Sequence, residues 1–393
     1  MKLRIQIAAC LAIICLSQWT LLAQSKNTYS VKDWWDSKPY VFSPVVHEDS
    51  TITFRYRSPT ATQVELHFGE WFVKPQQMQK DSSGVWSITI GPLEPQIYAY
   101  NFKVDDTWII DPTNVDVKVG TQVYSSMVEV PGHPPRFDQV QDVSHGSLHI
   151  HPYSSSSLNK LRSVHVYLPP GYHEEPNRSY PVLYLRHGGG DDEKSWSSTS
   201  GRAGVIAENL VAKQKAVPMI IVMPNCMTDG TWAGGSSLKG MQDLEAELLN
   251  DIIPLVENLY RVKPGKINRA MAGLSMGGGQ SVIIGLRNMD KFAWLGNFSS
   301  GLLSAVEFDI ETYVPSILSQ ADKVNEEIKL LWLACGTDDA RHLGHLEFVE
   351  KLRTTGFNTI KYHEMPGGHE WTVWRTELHK FLQHVFKDTS EVL

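Results

Sequence analysis

The chain has 393 residues, which exceeds one domain of ordinary size, and at roughly 150 residues per domain we expect two or three domains. With 42% hydrophobic and 20% charged residues it can bury a substantial core, which excludes an intrinsically disordered protein. Its formal charge of −7 indicates an acidic surface, which argues against nucleic acid and anionic membrane as partners.

Residues 1–25 have the pattern of a secretory signal peptide. Lys2 and Arg4 precede an apolar run, and the small residue Ala23 precedes a polar segment. Polar residues interrupt the run, and it is shorter than the roughly 20 apolar residues of a membrane span. We therefore predict a secreted or periplasmic protein with no membrane span in its mature form.

The cysteines indicate neither a disulfide scaffold nor a metal site. Of the four, Cys10 and Cys15 lie in the predicted signal peptide, which leaves Cys226 and Cys335 far apart in the mature chain. There is no CxxC pair and no His/Cys cluster with the spacing of zinc ligands. We expect no metal and no organic cofactor.

Residues 26–130 are typical of a small antiparallel β-sandwich. Stretches of period-two alternation are separated by turn-forming residues: TITFRYR (51–57), QVELHFG (63–69), VWSITIG (85–91) and IYAYNFKV (97–104). The tryptophans of this domain leave open whether it binds glycan: Trp71, Trp86 and Trp108. The proline-rich segment 131–143 predicts a linker.

Residues 144–393 follow a different pattern, that of an α/β domain. Short strands that are apolar along their length alternate with helical stretches such as 243–260. The strands include PVLYLRH (181–187), MIIVMPN (219–225) and KLLWLACG (329–336). Such strands predict a parallel sheet covered by helices on both faces.

The stretch NRAMAGLSMGGGQS, residues 268–281, places Ser275 between a predicted strand and a predicted helix. Glycines at 273 and 277 complete a GxSxG pattern, which at a strand-to-helix turn is the steric requirement of a nucleophile elbow. The first N–H groups of the helix point to where an oxyanion would form. The N–H of Met276 is the expected first donor.

A serine hydroxyl of ordinary pKa needs a base and an orienting acid, in the chain order Ser, Asp, His. Asp338 and Asp339 follow the strand KLLWLACG, and His369 lies in a glycine-rich loop after the strand TIKYHE. We expect His369 to be the base and favour Asp339 over Asp338 as the acid.

The second oxyanion donor is expected from the loop after PVLYLRH. There His187 is followed by three glycines, which let the backbone approach a substrate carbonyl closely. Gly189 is the favoured donor and Gly188 the next. His187 itself is expected to hold the loop.

Five motifs together resemble carbohydrate esterase family 1, the esterase D-like group that includes feruloyl esterases attached to xylanases and enterochelin esterase-like proteins: PVLYLRHGGG, IIVMPN, GLSMGGGQS, ACGTDDA and GGHEWTVWR. SPVVHEDSTITFRYRSP and GVWSITIGPLEPQIYAYNF resemble the early-set module akin to carbohydrate-binding module family 48. The resemblance covers nearly the whole mature chain. It implies an α/β-hydrolase fold preceded by a small antiparallel β-sandwich domain.

The resemblance also implies roles for the site residues. Ser275 is the nucleophile, His369 the base and Asp339 the acid, with Met276 and Gly189 as the oxyanion hole. Two departures leave the acyl specificity open. DDEKSW follows RHGGG where relatives commonly carry another glycine, and Cys226 stands where glycine is usual.

Aromatic residues near the predicted site are candidates for substrate binding. Trp371 lies two residues after His369, and Trp232 lies in the loop after MPNC. Either could stack on a hydroxycinnamoyl ring or a sugar. Trp374 belongs instead to an apolar helix face and is expected in the core.

The expected activity is removal of feruloyl or coumaroyl groups from plant hemicellulose, above all xylan, so the expected partner is a polysaccharide or oligosaccharide ester. Three alternatives stay open. An acetyl-xylan esterase would use the same catalytic residues, and an enterochelin-type siderophore esterase would need a basic pocket. A non-catalytic carbohydrate-binding protein would have no use for an intact Ser275, Asp339 and His369.

Overall fold

The computed structural model describes residues 41–70, 74–123, 125–303 and 308–387. The predicted signal peptide and Trp71 lie outside this part of the chain. The described residues form two compact units. One contains 41–68, 74–93 and 100–115, and the other contains 69–70, 94–99 and the chain from Asp116 onward. The second unit therefore begins ahead of the predicted linker at 131–143.

The strands between residues 45 and 109 form two antiparallel sheets, as the period-two alternation predicts. Their orders are β1-β2-β6-β5 and β4-β3-β7-β8. The strands are β1 (Val45–Val46), β2 (Ile52–Arg57), β3 (Val64–Phe68), β4 (Gln76–Gln77), β5 (Gln79–Lys80), β6 (Val85–Ile90), β7 (Gln96–Val104) and β8 (Thr107–Ile109). The four alternating stretches correspond to β2, β3, β6 and β7.

The core of the first unit is aromatic. The rings of Phe54 and Tyr100 are fully buried, with centroids 4.6 Å apart. The Tyr100 hydroxyl donates to the buried carboxylate of Asp111 over 2.8 Å, which satisfies both polar groups. Trp86 is also buried, whereas the indole of Trp108 is 58% exposed. Of Trp86 and Trp108, only Trp108 is exposed enough to contact a ligand.

The second unit contains β9 (Ser126–Val130) and an eight-stranded sheet of order β10-β11-β13-β12-β14-β15-β16-β17. Its first three strands pair antiparallel, and from β13 to β17 all pairs are parallel. The strands are β10 (Ser147–Ser155), β11 (Lys160–Leu168), β12 (Val182–Arg186), β13 (Ile220–Pro224), β14 (Arg269–Leu274), β15 (Trp294–Phe298), β16 (Leu330–Gly336) and β17 (Ile360–Met365).

Helices cover the sheet, so the predicted α/β class is confirmed. The α-helices are α1 (Ala203–Ala212), α2 (Leu238–Glu247), α3 (Ile253–Leu259), α4 (Ser275–Arg287), α5 (Ala321–Glu327), α6 (His342–Thr354) and α7 (Trp371–Leu382). The helix predicted at 243–260 is α2 and α3 joined by a π-helical turn, Leu248–Ile252. Pro254, which lacks an N–H, interrupts the α-helical hydrogen bonding there. In the described residues no helix has the length and apolarity to cross a bilayer.

The strand order positions the site. β12 lies between β13 on one side and β14 on the other, so the chain changes direction across the sheet at this strand. In open parallel sheets ligands bind outside the carboxyl ends of the strands at such a point. The loops after β12, β14, β16 and β17 all leave the sheet at this edge, because these strands are parallel.

The predicted linker is held to the second unit by a buried ion pair. Arg375 of α7 is fully buried, and its Nε donates to Asp138 over 2.8 Å while Nη1 donates to the Ser200 carbonyl over 2.7 Å. Arg136 donates to the same carboxylate. Burial raises the pKa of Asp138, but the two arginines outweigh this effect and hold the pKa below its ordinary value.

We expect Arg375→Met to destabilise the second unit by about 3–5 kcal/mol, because it leaves a buried carboxylate short of a partner. Urea unfolding followed by tryptophan fluorescence measures this loss. Arg178→Met is the matched control, since its ion pair with Glu175 is exposed and is worth about 1 kcal/mol or less. Equal unfolding free energies for the two variants would show that the buried pair does not stabilise the unit.

Candidate active site

Ser275 stands at the turn between β14 and α4. Its φ of 48° lies in the left-handed region, which residues other than glycine adopt only where the surrounding structure imposes it. A Cβ on Gly273 would lie 2.6 Å from the Gly277 backbone, and one on Gly277 would lie 2.4 Å from the His187 carbonyl oxygen. Both positions therefore require glycine, and the turn holds the hydroxyl at the carboxyl edge of the sheet.

The structure brings Ser275, His369 and Asp339 into one hydrogen-bonded chain. Nε2 of His369 lies 2.9 Å from Ser275 Oγ, and Nδ1 lies 2.6 Å from Asp339 Oδ2. A neutral imidazole that donates from Nδ1 to the carboxylate has Nε2 free to accept from the serine hydroxyl. This tautomer places a base next to the serine.

Asp339 is 5% exposed and is well supplied with hydrogen-bond donors. Its Oδ1 accepts from the backbone N–H of Arg341 over 3.0 Å and from Nη1 of the same residue over 3.2 Å. Burial raises the pKa of this carboxyl, but the hydrogen bond and charge of His369, together with Arg341, outweigh burial and lower the pKa to about 2. Asp339 is therefore ionised at neutral pH.

Asp338 is exposed and does not contact His369 in this arrangement. Its carboxylate accepts from the backbone N–H of Gly367 over 3.1 Å, and its own N–H donates to the Gly367 carbonyl over 3.0 Å. These two bonds fix the glycine-rich loop just before His369. The position is that of a loop-holding residue.

His345, which the sequence did not single out, supports the same region from α6. It is fully buried, its Nε2 accepts from the Ser300 N–H, and its Nδ1–H donates to the Arg341 carbonyl, each over 2.9 Å. Burial lowers its pKa to about 4, so the ring is neutral. No motif surrounds it, and only the tertiary structure shows its connection to Arg341.

The loop after β12 is held by His187, as expected. The buried ring donates from Nδ1 to the Gly188 carbonyl and accepts at Nε2 from the Cys226 N–H, each over 2.8 Å. Burial lowers its pKa to about 4, which keeps it neutral. His187 thus joins the loops after β12 and β13.

The three predicted oxyanion residues surround Ser275. Met276 lies in the first turn of α4, and a Cβ on Gly188 would lie 3.2 Å from the Ser275 Cβ. The same Cβ would lie 3.4 Å from Oδ2 of Asp191. Gly189 lines the same pocket as Ser275, which favours it as the second donor.

A pocket with a cavity volume of about 110 Å³ opens at Ser275. Its lining combines the predicted catalytic residues with cationic, acidic and aromatic side chains. The lining residues are Lys118, Gly189, Asp191, Trp232, Leu274, Ser275, Arg341, His369 and Trp374. Sequence reasoning missed Lys118, Asp191 and Arg341, although Asp191 directly follows the glycines of the RHGGG motif.

The prediction that Trp371 contacts substrate is wrong. Its side chain is fully buried and packs edge-on against Trp196 and Trp374, with ring centroids 5.0 and 5.4 Å apart. Trp374, expected in the core, is 4% exposed and lines the pocket, with its ring 4.9 Å from that of His369. Trp232 lines the pocket and is 56% exposed, where a substrate can reach it.

Family comparisons match both parts of the chain. The family described as "Putative esterase" matches residues 155–385, and carbohydrate-binding module 48, the isoamylase N-terminal domain, matches residues 41–115. Among curated proteins, an endo-1,4-beta-xylanase/feruloyl esterase of Xylanibacter ruminicola is 32% identical over 349 residues. The match covers 88% of this chain and 46% of the relative. The chain thus spans about half the length of that relative.

Among solved structures, a carbohydrate esterase family 1 ferulic acid esterase from Anaeromyces mucronatus is 25% identical with a TM-score of 0.54. The match covers 64% of this chain and 94% of the Anaeromyces mucronatus chain. The enterobactin esterase of Shigella flexneri has a TM-score of 0.62 over 90% of this chain and 98% of its own, and at 17% identity it shows the fold alone.

These matches agree with the geometry of the elbow, the hydrogen-bonded triad and the glycine loop. The α/β-hydrolase fold and the resemblance inferred from the sequence motifs are confirmed. Because the esterase match covers more than half of its length, the chain belongs to this esterase family.

Proposed function

We propose that the protein is a serine carboxylic-ester hydrolase that removes feruloyl and related hydroxycinnamoyl groups from xylan-type hemicellulose outside the cytoplasm. The observation that carries the proposal is the Ser275–His369–Asp339 hydrogen-bonded chain at the carboxyl edge of the sheet. The substrate class rests on similarity to feruloyl esterases. The predicted signal peptide supports action outside the cytoplasm.

The reaction begins with attack of Ser275 Oγ on the ester carbonyl while His369 Nε2 takes the hydroxyl proton. Asp339, ionised and bonded to Nδ1, stabilises the imidazolium that forms. The backbone N–H groups of Met276 and Gly189 receive the oxyanion of the tetrahedral intermediate. The intermediate then collapses: the bond between the acyl carbon and the sugar oxygen breaks, and that oxygen takes the proton from His369 Nε2 and leaves as the sugar hydroxyl.

Deacylation repeats the same steps with water as the nucleophile. His369 takes a proton from water, hydroxide adds to the acyl carbonyl, and Ser275 leaves with the proton returned by the imidazolium. Every proton transfer uses Nε2 of His369. Water is thus the only reactant besides the ester, and the side chains and amides at this edge of the sheet supply the proton transfers and the oxyanion contacts.

A siderophore-ester hydrolase is a second candidate, because two cationic side chains, Lys118 and Arg341, line the pocket beside Ser275. A catecholate acyl group would meet favourable charge there. Two observations favour a hydroxycinnamoyl ester as the substrate: the acidic Asp191 in the same pocket wall, and the similarity to a protein named as a feruloyl esterase.

Ser275→Ala should lower kcat for methyl ferulate by about 10⁶, since the nucleophile of an activated triad is removed. Assays with methyl ferulate, acetylated xylan and a 2,3-dihydroxybenzoyl-serine ester separate the candidates. Serine-dependent release of ferulate supports the proposal. Release of acetate alone would identify an acetyl esterase, and release of the 2,3-dihydroxybenzoyl acid alone would identify a siderophore-ester hydrolase. Glycan binding with no serine-dependent release would mean a carbohydrate-binding protein.

Asp339→Asn should lower kcat by about 10⁴, because the amide holds the wrong tautomer of His369. Asp338→Asn is the matched control at the neighbouring position. It should change kcat little, because Asp338 only contacts the backbone of Gly367. The reverse ranking of the two variants would move the role of the acid to Asp338.

Trp232→Ala should lower the ratio of kcat/KM for methyl ferulate to that for p-nitrophenyl acetate by about fivefold, because an aromatic stacking contact is lost. Trp108→Ala removes an indole of similar exposure in the first unit and should leave this ratio unchanged. If Trp232→Ala slows both esters equally, the indole supports the glycine loop and does not bind the acyl ring.

A further inference from the structure

The segment 116–123 lies between the two family matches, which end at 115 and begin at 155, yet it packs on the glycine loop of the active site. Both the N–H and the Oγ1 of Thr121 donate to the Gly190 carbonyl over 3.0 Å. A Cβ on Gly120 would lie 2.5 Å from the same oxygen. The segment is therefore fitted to the loop that carries Gly189.

This segment also supplies a charged side chain to the pocket. Lys118 is 6% exposed and lines the cavity together with Ser275 and Trp232. Its Nζ lies 3.7 Å from Oε2 of Glu70, an oxygen that is buried and accepts no hydrogen bond within the described part of the chain. The ion pair with Glu70 offsets part of the desolvation cost of this buried ammonium group and keeps its charge at the wall of the pocket.

The second polar group of this wall is Asp191. Asp191 is 4% exposed. A Cβ on Gly188 would lie 3.4 Å from Asp191 Oδ2 and 3.2 Å from the Ser275 Cβ, so the carboxylate and the serine flank the same glycine. Burial raises the pKa of Asp191 to about 7, while Lys118 opposes the rise and Glu70 and Asp192 add to it. The pocket thus presents a hydrogen-bond donor, Lys118, and an acceptor, Asp191, close to the nucleophile.

We propose that Lys118 and Asp191 form a polar subsite for the phenolic hydroxyl of the acyl group, with Lys118 as a specificity-determining residue contributed by the segment between the two family domains. A phenol O–H donates a hydrogen bond to the carboxylate, and its oxygen accepts one from the ammonium group. An acetyl or unsubstituted cinnamoyl group offers neither. The inference rests on the proposed function, because it names the acyl class of the same site.

The test compares kcat/KM for methyl 4-hydroxycinnamate and methyl cinnamate, which differ only in the phenolic hydroxyl. For the wild-type enzyme the ratio should favour the hydroxylated ester by about tenfold or more, as expected for hydrogen bonds to charged groups. Lys118→Met and Asp191→Asn should each reduce the ratio to near one. Lys118→Arg, which keeps the charge and the donors, should retain most of it.

The ratio separates binding from structural damage, since a displaced glycine loop slows both esters alike. Lys194→Met, at a lysine that is 51% exposed and paired with Asp192, is the matched control and should leave both rates unchanged. A wild-type ratio retained in Lys118→Met and Asp191→Asn overturns this inference alone. If the wild type cleaves p-nitrophenyl acetate in a Ser275-dependent way but cleaves neither methyl 4-hydroxycinnamate nor methyl cinnamate, the proposed function is overturned and this inference with it.

Discussion

The close approach of α4 to the end of β12 is the constraint on which the site depends. Only the absence of a side chain at Gly277 lets the first turn of the helix lie against the carbonyls of Arg186 and His187. This contact brings the glycine loop after β12 next to Ser275 and the first turn of α4. It also imposes the left-handed backbone at Ser275, which turns the hydroxyl out of the sheet edge. Strain and function therefore occupy the same residue.

Three histidines belong to the loops and helices of the proposed active site, and they differ in their hydrogen-bond partners. In His187 and His345 the Nε2 atom accepts a backbone N–H and Nδ1–H donates to a backbone carbonyl, so burial holds both rings neutral. Neither has a nitrogen free for proton transfer. In His369 Nδ1 is bonded to the Asp339 carboxylate and Nε2 to the serine hydroxyl, so both of its partners are side chains.

The sequence could predict the residues whose chemistry depends on local pattern. The elbow around Ser275 and the positions of Asp339 and His369 follow from strand ends, because these residues lie in the turn or loop after β14, β16 and β17, respectively. The roles of Trp371 and Trp374 could not be assigned in this way. They lie one helical turn apart on α7, and which of them faces the pocket depends on how the helix rotates against Trp196. Lys118 could not be found either, since it reaches the site only through tertiary packing.

The boundaries of the family matches are not those of the folded catalytic unit. Residues 116–143 lie between the matches, yet Thr121 holds the loop of Gly189 through Gly190, and Asp138 holds α7 through the buried Arg375. α7 begins two residues after His369, so this one segment contacts the loop of Gly189 at one end and the helix that follows His369 at the other. Geometry at the nucleophile depends on both supports at once. The surroundings of Ser275 therefore include contacts from a stretch of chain that carries none of the sequence motifs of the proposed site.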